Sequence, residues 1–414
     1  MTDAWGVVGG GGCVRVNAIE GFASSRPAGA GQPGTITVED AVRADGKLPE
    51  EALLTTYVLD AEWVASLLGP ECRTTIVVDY NPTREASGVV KLWPGSKLVR
   101  PRCLERAVGS MRYGRPLQHA KLMILRFDDR VRVIISSANL VHEDWTIIGQ
   151  CVWAADFPIT DSLVDRGEFA DDLFAFLRVF LSSEKDAYYW TSGYNTSSAR
   201  ARIVASLPGT HTNAERAPFA LGIARLKQLF SEAGMLVSTK TSCSVKGCTS
   251  VVDTTSSMGV ANDGWLRSWP LGTPRSALSI IYPTASEMDE RSSGVFFCSE
   301  RAKSAAEPYF ARMKWKDPRR YGVMSHAKMV FWLDKTHDVL AAYYGSANFS
   351  AVAWGTMQKT GAIYISNVEL GVLLLPDDEG NKPSMPSPFV LPPLKYSATD
   401  VPFQQEHQIG SYTT

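Results

Sequence analysis

Histidine is scarce in this chain: 414 residues carry only six, against 42 Lys plus Arg and 43 Asp plus Glu. Long apolar runs are missing as well. None approaches the roughly 20 residues that a membrane-spanning helix needs. The opening stretch, MTDAWGVVGGGG, lacks the charged start and apolar core of a secretory signal, so a soluble protein that stays inside the cell is expected. A formal net charge of only −1 excludes a chain that grips polyanions through its total charge, but it leaves room for a local basic groove, because binding responds to the local field. Seven cysteines, odd in number and widely spread, do not describe a disulfide framework. The closest pair, Cys243 and Cys248 in CSVKGC, lacks zinc-site spacing and partner ligands, and both are expected to be loop thiols. No other set of Asp, Glu, His or Cys has metal-ligand spacing, so neither a metal nor another cofactor is expected.

What is present is a core-forming composition, 45% hydrophobic and 10% aromatic, in a length that suits two domains or one two-lobed unit. Residues 1–33, with GGGG and SSRPAGAGQPG, read as a flexible leader. Beyond it, ALLTTYVLDAEWVASLL leads from a strand into an amphipathic helix, and TTIVVDY is a β-branched strand. FADDLFAFLRVFLSS and APFALGIARLKQLFSEAGM have helical spacing, the second closed by Gly234. Strands alternating with helices predict α/β layering.

An internal repeat organises the rest. RYGRPLQHAKLMILRFDDRVRVIISSANLVHEDW runs from Arg112 to Trp145, and RYGVMSHAKMVFWLDKTHDVLAAYYGSANFSAVAW from Arg320 to Trp354. Each copy holds RYG, His-Ala-Lys, an apolar strand, a charged turn, a second apolar strand, then Ser-Ala-Asn and a Trp. The turns DDR and DKTHD predict a β-hairpin in each copy. A hairpin returns its ends to one edge, so His119, Lys121 and Asn139 can meet, as can His326, Lys328 and Asn348. His and Lys two residues apart share a strand face.

A duplicated core pattern would preserve Val, Ile and Leu, but here the polar residues match best. Lys is a compact cationic donor and Asn an amide donor, and two of each can surround a tetrahedral anion. Two histidines offer a nucleophile and a proton donor near neutral pH. The set suits phosphoryl transfer through a phosphohistidine, with the lysines acting where other enzymes place a cation.

The paired His-x-Lys hairpins resemble the phospholipase D superfamily. Its largest branch carries HxKxxxxD, but the Asp position is Arg126 in one copy and Leu333 in the other, and an Asn follows later. That departure, with SANLVHEDW, SANFSAVAWG, NVELGVLLLP and SIIYPT, is similar to the tyrosyl-DNA phosphodiesterase branch, over about Thr35 to Phe403. The resemblance implies a two-lobed α/β fold, two similar αβα lobes related by pseudo-twofold symmetry over residues 34–200 and 201–414, with the site between them. It implies His119 as nucleophile, His326 as general acid and base, Lys121, Lys328, Asn139 and Asn348 on the phosphate oxygens, and Gln150 and Glu369 as partners of the histidines. It implies hydrolysis of tyrosyl and related adducts at DNA 3′ ends, single-stranded or nicked, left by type IB topoisomerase peptides. A monomer without membrane contact, in the nucleus and possibly the cytoplasm, goes with that reading. Alternatives are a phospholipase D-type lipase or nuclease, and an inactive relative that binds DNA ends.

Some positions depart from the family pattern. Gln118 stands where a second His usually precedes the nucleophile, the stretch from Gly114 to His119 is longer than usual, and the sequence after Phe403 differs. TTSSMG, Thr254 to Gly259, resembles a DNA-phosphate contact and nominates Ser257, although a Ser/Thr-rich surface loop has the same composition. Ser350 is nominated with it. His142, His211, His337 and His407 do not recur in both copies and are left out of the site.

Overall fold

Two sheets with one shared strand order carry the chain, and the apolar runs of the repeat lie at their centres. The structure, a computed structural model, describes residues 11–20, 34–78, 92–101, 103–104, 115–160, 166–214, 217, 219–238, 243–259, 263–269, 277–288, 297–298, 300–377 and 379–403. The first RYG, Gly114, His407 and the sequence after Phe403 lie outside the described residues, as do most of the expected leader and the Asp79–Tyr80 end of TTIVVDY.

The first sheet has eight strands. From the Gly34–Ile36 edge the order is Cys13–Asn17, Cys151–Pro158, Arg130–Ser136, Leu122–Arg126, Glu51–Thr55, Arg73–Val77 and Ser96–Val99. The second sheet has seven strands, in the order Ala201–Ser206, Glu369–Leu374, Val339–Gly345, Lys328–Leu333, Ser250–Thr254, Leu278–Ile281 and Phe310–Ala311. Apart from the Gly34–Ile36 edge strand, which pairs parallel with Cys13–Asn17 and has no counterpart, the pairing directions agree strand for strand: antiparallel as far as Glu51–Thr55 and Ser250–Thr254, parallel beyond them. This is the internal symmetry expected of a phospholipase D-like fold, extended from two hairpins to two whole sheets.

Both expected hairpins form, Leu122–Arg126 with Arg130–Ser136 and Lys328–Leu333 with Val339–Gly345. All six residues of KMVFWL are buried, so the run is apolar on both faces rather than alternating. Each such Val, Leu or Phe contributes about 1.5–3 kcal/mol of burial. One face of the first sheet packs Met123, Leu125 and Ile134 with Val64 and Leu67 of the Ala61–Leu68 helix. The other face shares a single core with the second sheet and with the Glu168–Phe180 and Gly222–Glu232 helices. Gly234 has φ +63° just past the second helix, the left-handed position its stop signal implied.

The leader expected over residues 1–33 needs correction. Cys13–Asn17 is a strand pairing antiparallel with Cys151–Pro158, and it matches Ala201–Ser206 in the second sheet. Flanking Gly, Ser and Pro hid five residues whose ladder bonds and burial come from distant partners. The first lobe therefore includes Cys13–Asn17, which lies before residue 34. Cys243 likewise lies in a short strand, Cys243–Val245, rather than a loop. Among the described residues no helix is long and apolar enough to cross a membrane.

Candidate active site

The two His-x-Lys segments lie where the sheets meet, and each is tied to the opposite lobe. The His119 backbone N–H donates to Val368 O at 2.9 Å, and Val368 N–H donates to Leu117 O at 2.8 Å. In the twofold-related pair, His326 N–H donates to Gly149 O at 2.8 Å and Gly149 N–H to Met324 O at 2.7 Å. A side chain at Gly149 would not fit, since a Cβ there would stand 2.6 Å from the Trp315 ring. These crossings deliver the next residue of each tie, Glu369 or Gln150, to the histidine of the other lobe.

His119 Nδ1 lies 2.8 Å from Glu369 Oε2. His326 Nδ1 lies 3.2 Å from Gln150 Oε1 and 3.1 Å from Ser137 O. All three partners are acceptors, a carboxylate, an amide oxygen and a carbonyl, so in each ring Nδ1 carries the proton and Nε2 is left for chemistry. Ser137 and Ser346, the Ser of each Ser-Ala-Asn, fix those partners: Ser137 Oγ donates to Gln150 Oε1 at 2.7 Å, Ser346 Oγ to Glu369 Oε2 at 2.6 Å. Asn367 Nδ2 donates to the other Glu369 oxygen at 3.0 Å.

The lysines do not project from a strand beside their histidines, as the spacing suggested. Lys121 precedes its strand, and Lys328 opens the matching one. Each bends back so that Nζ donates to the carbonyl of its own histidine, 2.6 Å to His119 O and 2.5 Å to His326 O. Both ammonium stems are buried. Asn139 is held by Asp144, whose Oδ2 accepts from its backbone N–H at 2.6 Å and from Nδ2 at 3.0 Å. Asn348 Oδ1 accepts from Thr255 Oγ1 and Ser256 Oγ, each at 3.2 Å.

Electrostatics follows from burying this set. Burial lowers Lys121 to about 8, against the upward pull of Glu369 and Asp144. Burial and then the Lys121 charge push Lys328 well below its ordinary value. Burial also lowers His119, with Glu369 opposing. His326, with no carboxylate bonded to it, falls well below the ordinary histidine value through burial and the charges of Lys328 and Lys121. Burial alone would raise Glu369, yet His119, Lys121 and the Ser346 bond hold it below the usual range. Lys121 and Lys328 thus share their buried surroundings with two carboxylates, Glu369 and Asp144, whose charges partly offset the cost of burying the ammonium groups.

Sequence reasoning missed part of the repeat. Thr55 and Thr254 each donate through Oγ1 to the carbonyl of the Ala in His-Ala-Lys, at 2.9 and 3.0 Å. Thr56 and Thr255 accept in turn from the backbone N–H after each Asn, both at 3.0 Å. The recurring Thr-Thr of TTYV and TTSS was a readable signal. Tyr57, next in the first copy, has its ring 5.9 Å from that of His119. Ser256, rather than the nominated Ser257, bonds Asn348; Ser257 is half-buried, and Ser350 is buried at the start of the Ala351–Trp354 helix. Gln118, in the place of a second His, is buried and bonds Thr56 O and Ala120 O. His142 meets the Trp63 ring edge-on, and His211 bonds Leu207 O. Among the described residues no three His, Cys, Asp or Glu could hold a metal ion.

Comparison with known proteins agrees with this architecture. The chain is 27% identical to a probable tyrosyl-DNA phosphodiesterase of Caenorhabditis elegans, over 88% of this chain and 83% of the relative. It is 25% identical to tyrosyl-DNA phosphodiesterase 1 of Arabidopsis thaliana, over 89% of this chain and 71% of the relative. A crystal structure of the yeast tyrosyl-DNA phosphodiesterase superposes with a TM-score of 0.68 at 16% identity, covering 96% of this chain and all of that one, and shares its fold. The tyrosyl-DNA phosphodiesterase family profile matches residues 20–397. The chain belongs to the tyrosyl-DNA phosphodiesterase family, a family of phosphodiesterase hydrolases.

Proposed function

We propose that this enzyme removes tyrosyl and related adducts from DNA 3′ ends through a phosphohistidine on His119, leaving a 3′-phosphate. The observation that carries the reading is the unequal pair of histidine partners: an anion behind His119, neutral acceptors behind His326. A carboxylate on Nδ1–H raises electron density at Nε2 and stabilises the positive ring that forms on attack. His119 Nε2 then forms the bond to phosphorus while the tyrosyl oxygen departs and takes a proton from His326. Water next attacks the phosphohistidine, gives its proton to His326, and His119 leaves with its lone pair. Bond for bond the steps balance, and His326 ends as it began.

Lys121, Lys328, Asn139 and Asn348 supply the donors for the non-bridging oxygens, so the chemistry needs no metal. In the empty site His326 is held neutral, but the bound phosphate anion offsets the lysine charges and restores its proton. The basic limb of kcat is therefore expected at higher pH than that of kcat/KM, since only the former reports the occupied site. Coincident limbs would contradict this role of the phosphate.

Lys121 titrates near 8, so inorganic phosphate should raise Tm at neutral pH, and the effect should shrink as pH rises through that value. A thermal-shift series with wild type and Lys121→Ala checks this. A shift that persists in the variant would remove Lys121 from the anion site. Resemblance to the family supports a nuclear place of action and a substrate strand that is single-stranded or nicked.

Hydrolysis of a 3′-phosphotyrosyl oligonucleotide in EDTA tests the reading, with a 5′-phosphotyrosyl strand and phosphatidylcholine as parallel arms. Conversion of the 3′ substrate alone to a 3′-phosphate is expected. Cleavage confined to another arm, or dependent on added metal, would overturn it.

A further inference from the structure

Asn17 lies in the stretch whose composition reads as a leader, yet it is completely buried. Its amide is fully used. Nδ2 donates to Ile148 O at 2.7 Å, Trp145 O at 3.0 Å and Asp144 O at 3.3 Å, and Oδ1 accepts from Gln150 N–H at 2.8 Å. Three carbonyls on one end and an N–H on the other leave the amide one orientation. The backbone carbonyl of Asn17 also accepts from Arg320 Nη2 of the second lobe at 2.5 Å. Arg320 is itself buried, six residues before His326, with its guanidinium over the Trp315 ring.

These contacts reach both halves of the catalytic set. Gln150 is one of the two acceptors for His326 Nδ1, beside Ser137 O. Asp144, in the short His142–Thr146 helix, is the acceptor for Asn139. One side chain thus fixes the backbone that carries both acceptors. The second sheet meets the same need differently. By register, Cys151 pairs with Val16 and Leu370 with Ala205, so Asn17 corresponds to Ser206, which pairs with Glu369 within the regular ladder. In the first sheet the regular pairing with Cys151–Pro158 ends at Val16, and an amide side chain takes over on that side.

We propose that Asn17 is a positioning residue for the reaction, holding Gln150 against His326 and the Asp144 turn against Asn139. The proposal rests on the roles given above to His326 and Asn139. It assigns the N-terminal strand a part in catalysis rather than in the perimeter of the fold. A misplacement of the order of 1 Å in a proton donor costs up to about a hundredfold in rate.

The test is the full-length Asn17→Ala variant on the 3′-phosphotyrosyl oligonucleotide, with its complete pH profile and with His326→Asn measured alongside. Expected are a kcat lower by about tenfold to a hundredfold, a smaller change in KM, and a basic limb displaced to higher pH. That displacement arises because a loosened Gln150 admits water to His326 and relieves its burial. A merely structural role would lower the active fraction and leave the shape of the profile unchanged. Asn17→Ser places at this position the residue type found at Ser206 and keeps a hydroxyl that can accept from Gln150 N–H, and should fall between wild type and alanine; it carries the same comparison if the alanine variant is recovered poorly. A folded Asn17→Ala or Asn17→Ser with the wild-type rate and profile overturns the proposal. If His326→Asn also behaves as wild type, the underlying reading fails instead.

Discussion

His119→Ala will reduce turnover of a 3′-phosphotyrosyl oligonucleotide by about 10⁴-fold or more, the scale seen when a covalent nucleophile is removed. Its neighbours in the chain are poor substitutes. Lys121 Nζ donates one hydrogen bond to the His119 carbonyl and keeps its other donors for the phosphate, and Gln118 is a neutral amide, buried and bonded to backbone. The variant also leaves Glu369, a buried carboxylate, with Ser346 and Asn367 but without its imidazole partner. A stability loss of about 1–3 kcal/mol should accompany the loss of rate. Single-turnover kinetics with enzyme in excess, beside a denaturant melt, separates the two effects. A folded variant retaining a tenth of the wild-type rate would exclude His119 as the attacking group.

His326→Asn is expected to divide the reaction into its halves. The tyrosyl leaving group has a reference pKa near 10, so its departure survives the loss of a proton donor in part. Release of the enzyme requires attack by water, a far weaker acid with a pKa of about 15.7, and this step depends on a base. Steady-state turnover should fall by about 10²–10⁴-fold, while the first turnover still produces free tyrosine. The progress curve should show a burst equal to the enzyme concentration and then a near-plateau. A uniform slowing without a burst would mean that His326 acts only in the first half.

The physics of the site explains which parts of it the sequence displayed. The hairpins were legible because LMILR and KMVFWL are apolar runs closed by charged turns, and their burial needs no knowledge of the partner. The His, Lys and Asn of each copy were legible because a duplicated site repeats its polar residues in order. Glu369 and Gln150 were not, because one carries charge and the other does not, so they do not read as a repeat. Their nomination came from family resemblance. That each serves the histidine of the opposite lobe is a product of the crossing ties at Val368 and Gly149, contacts between residues far apart in the chain.

Two features were hidden for opposite reasons. Thr55, Thr56, Thr254 and Thr255 look like ordinary β-branched strand residues, and only the paired bonds to the His-Ala-Lys and Asn backbones set them apart. Cys13–Asn17 was masked by its glycine- and proline-rich surroundings, although strand formation there depends on Cys151–Pro158, not on local composition. The sign and cause of the lysine shifts were equally invisible, since burial of Lys121 and Lys328 is a property of the assembled lobes.

Mass spectrometry of the His326→Asn enzyme after reaction in EDTA tests the proposed covalent bond at His119 Nε2 directly. Expected is a nucleotide adduct on the peptide containing His119, labile to acid as a phosphoramidate, and absent from the His119→Ala, His326→Asn double variant. An adduct on any other residue, or none after a measurable first turnover, would contradict it.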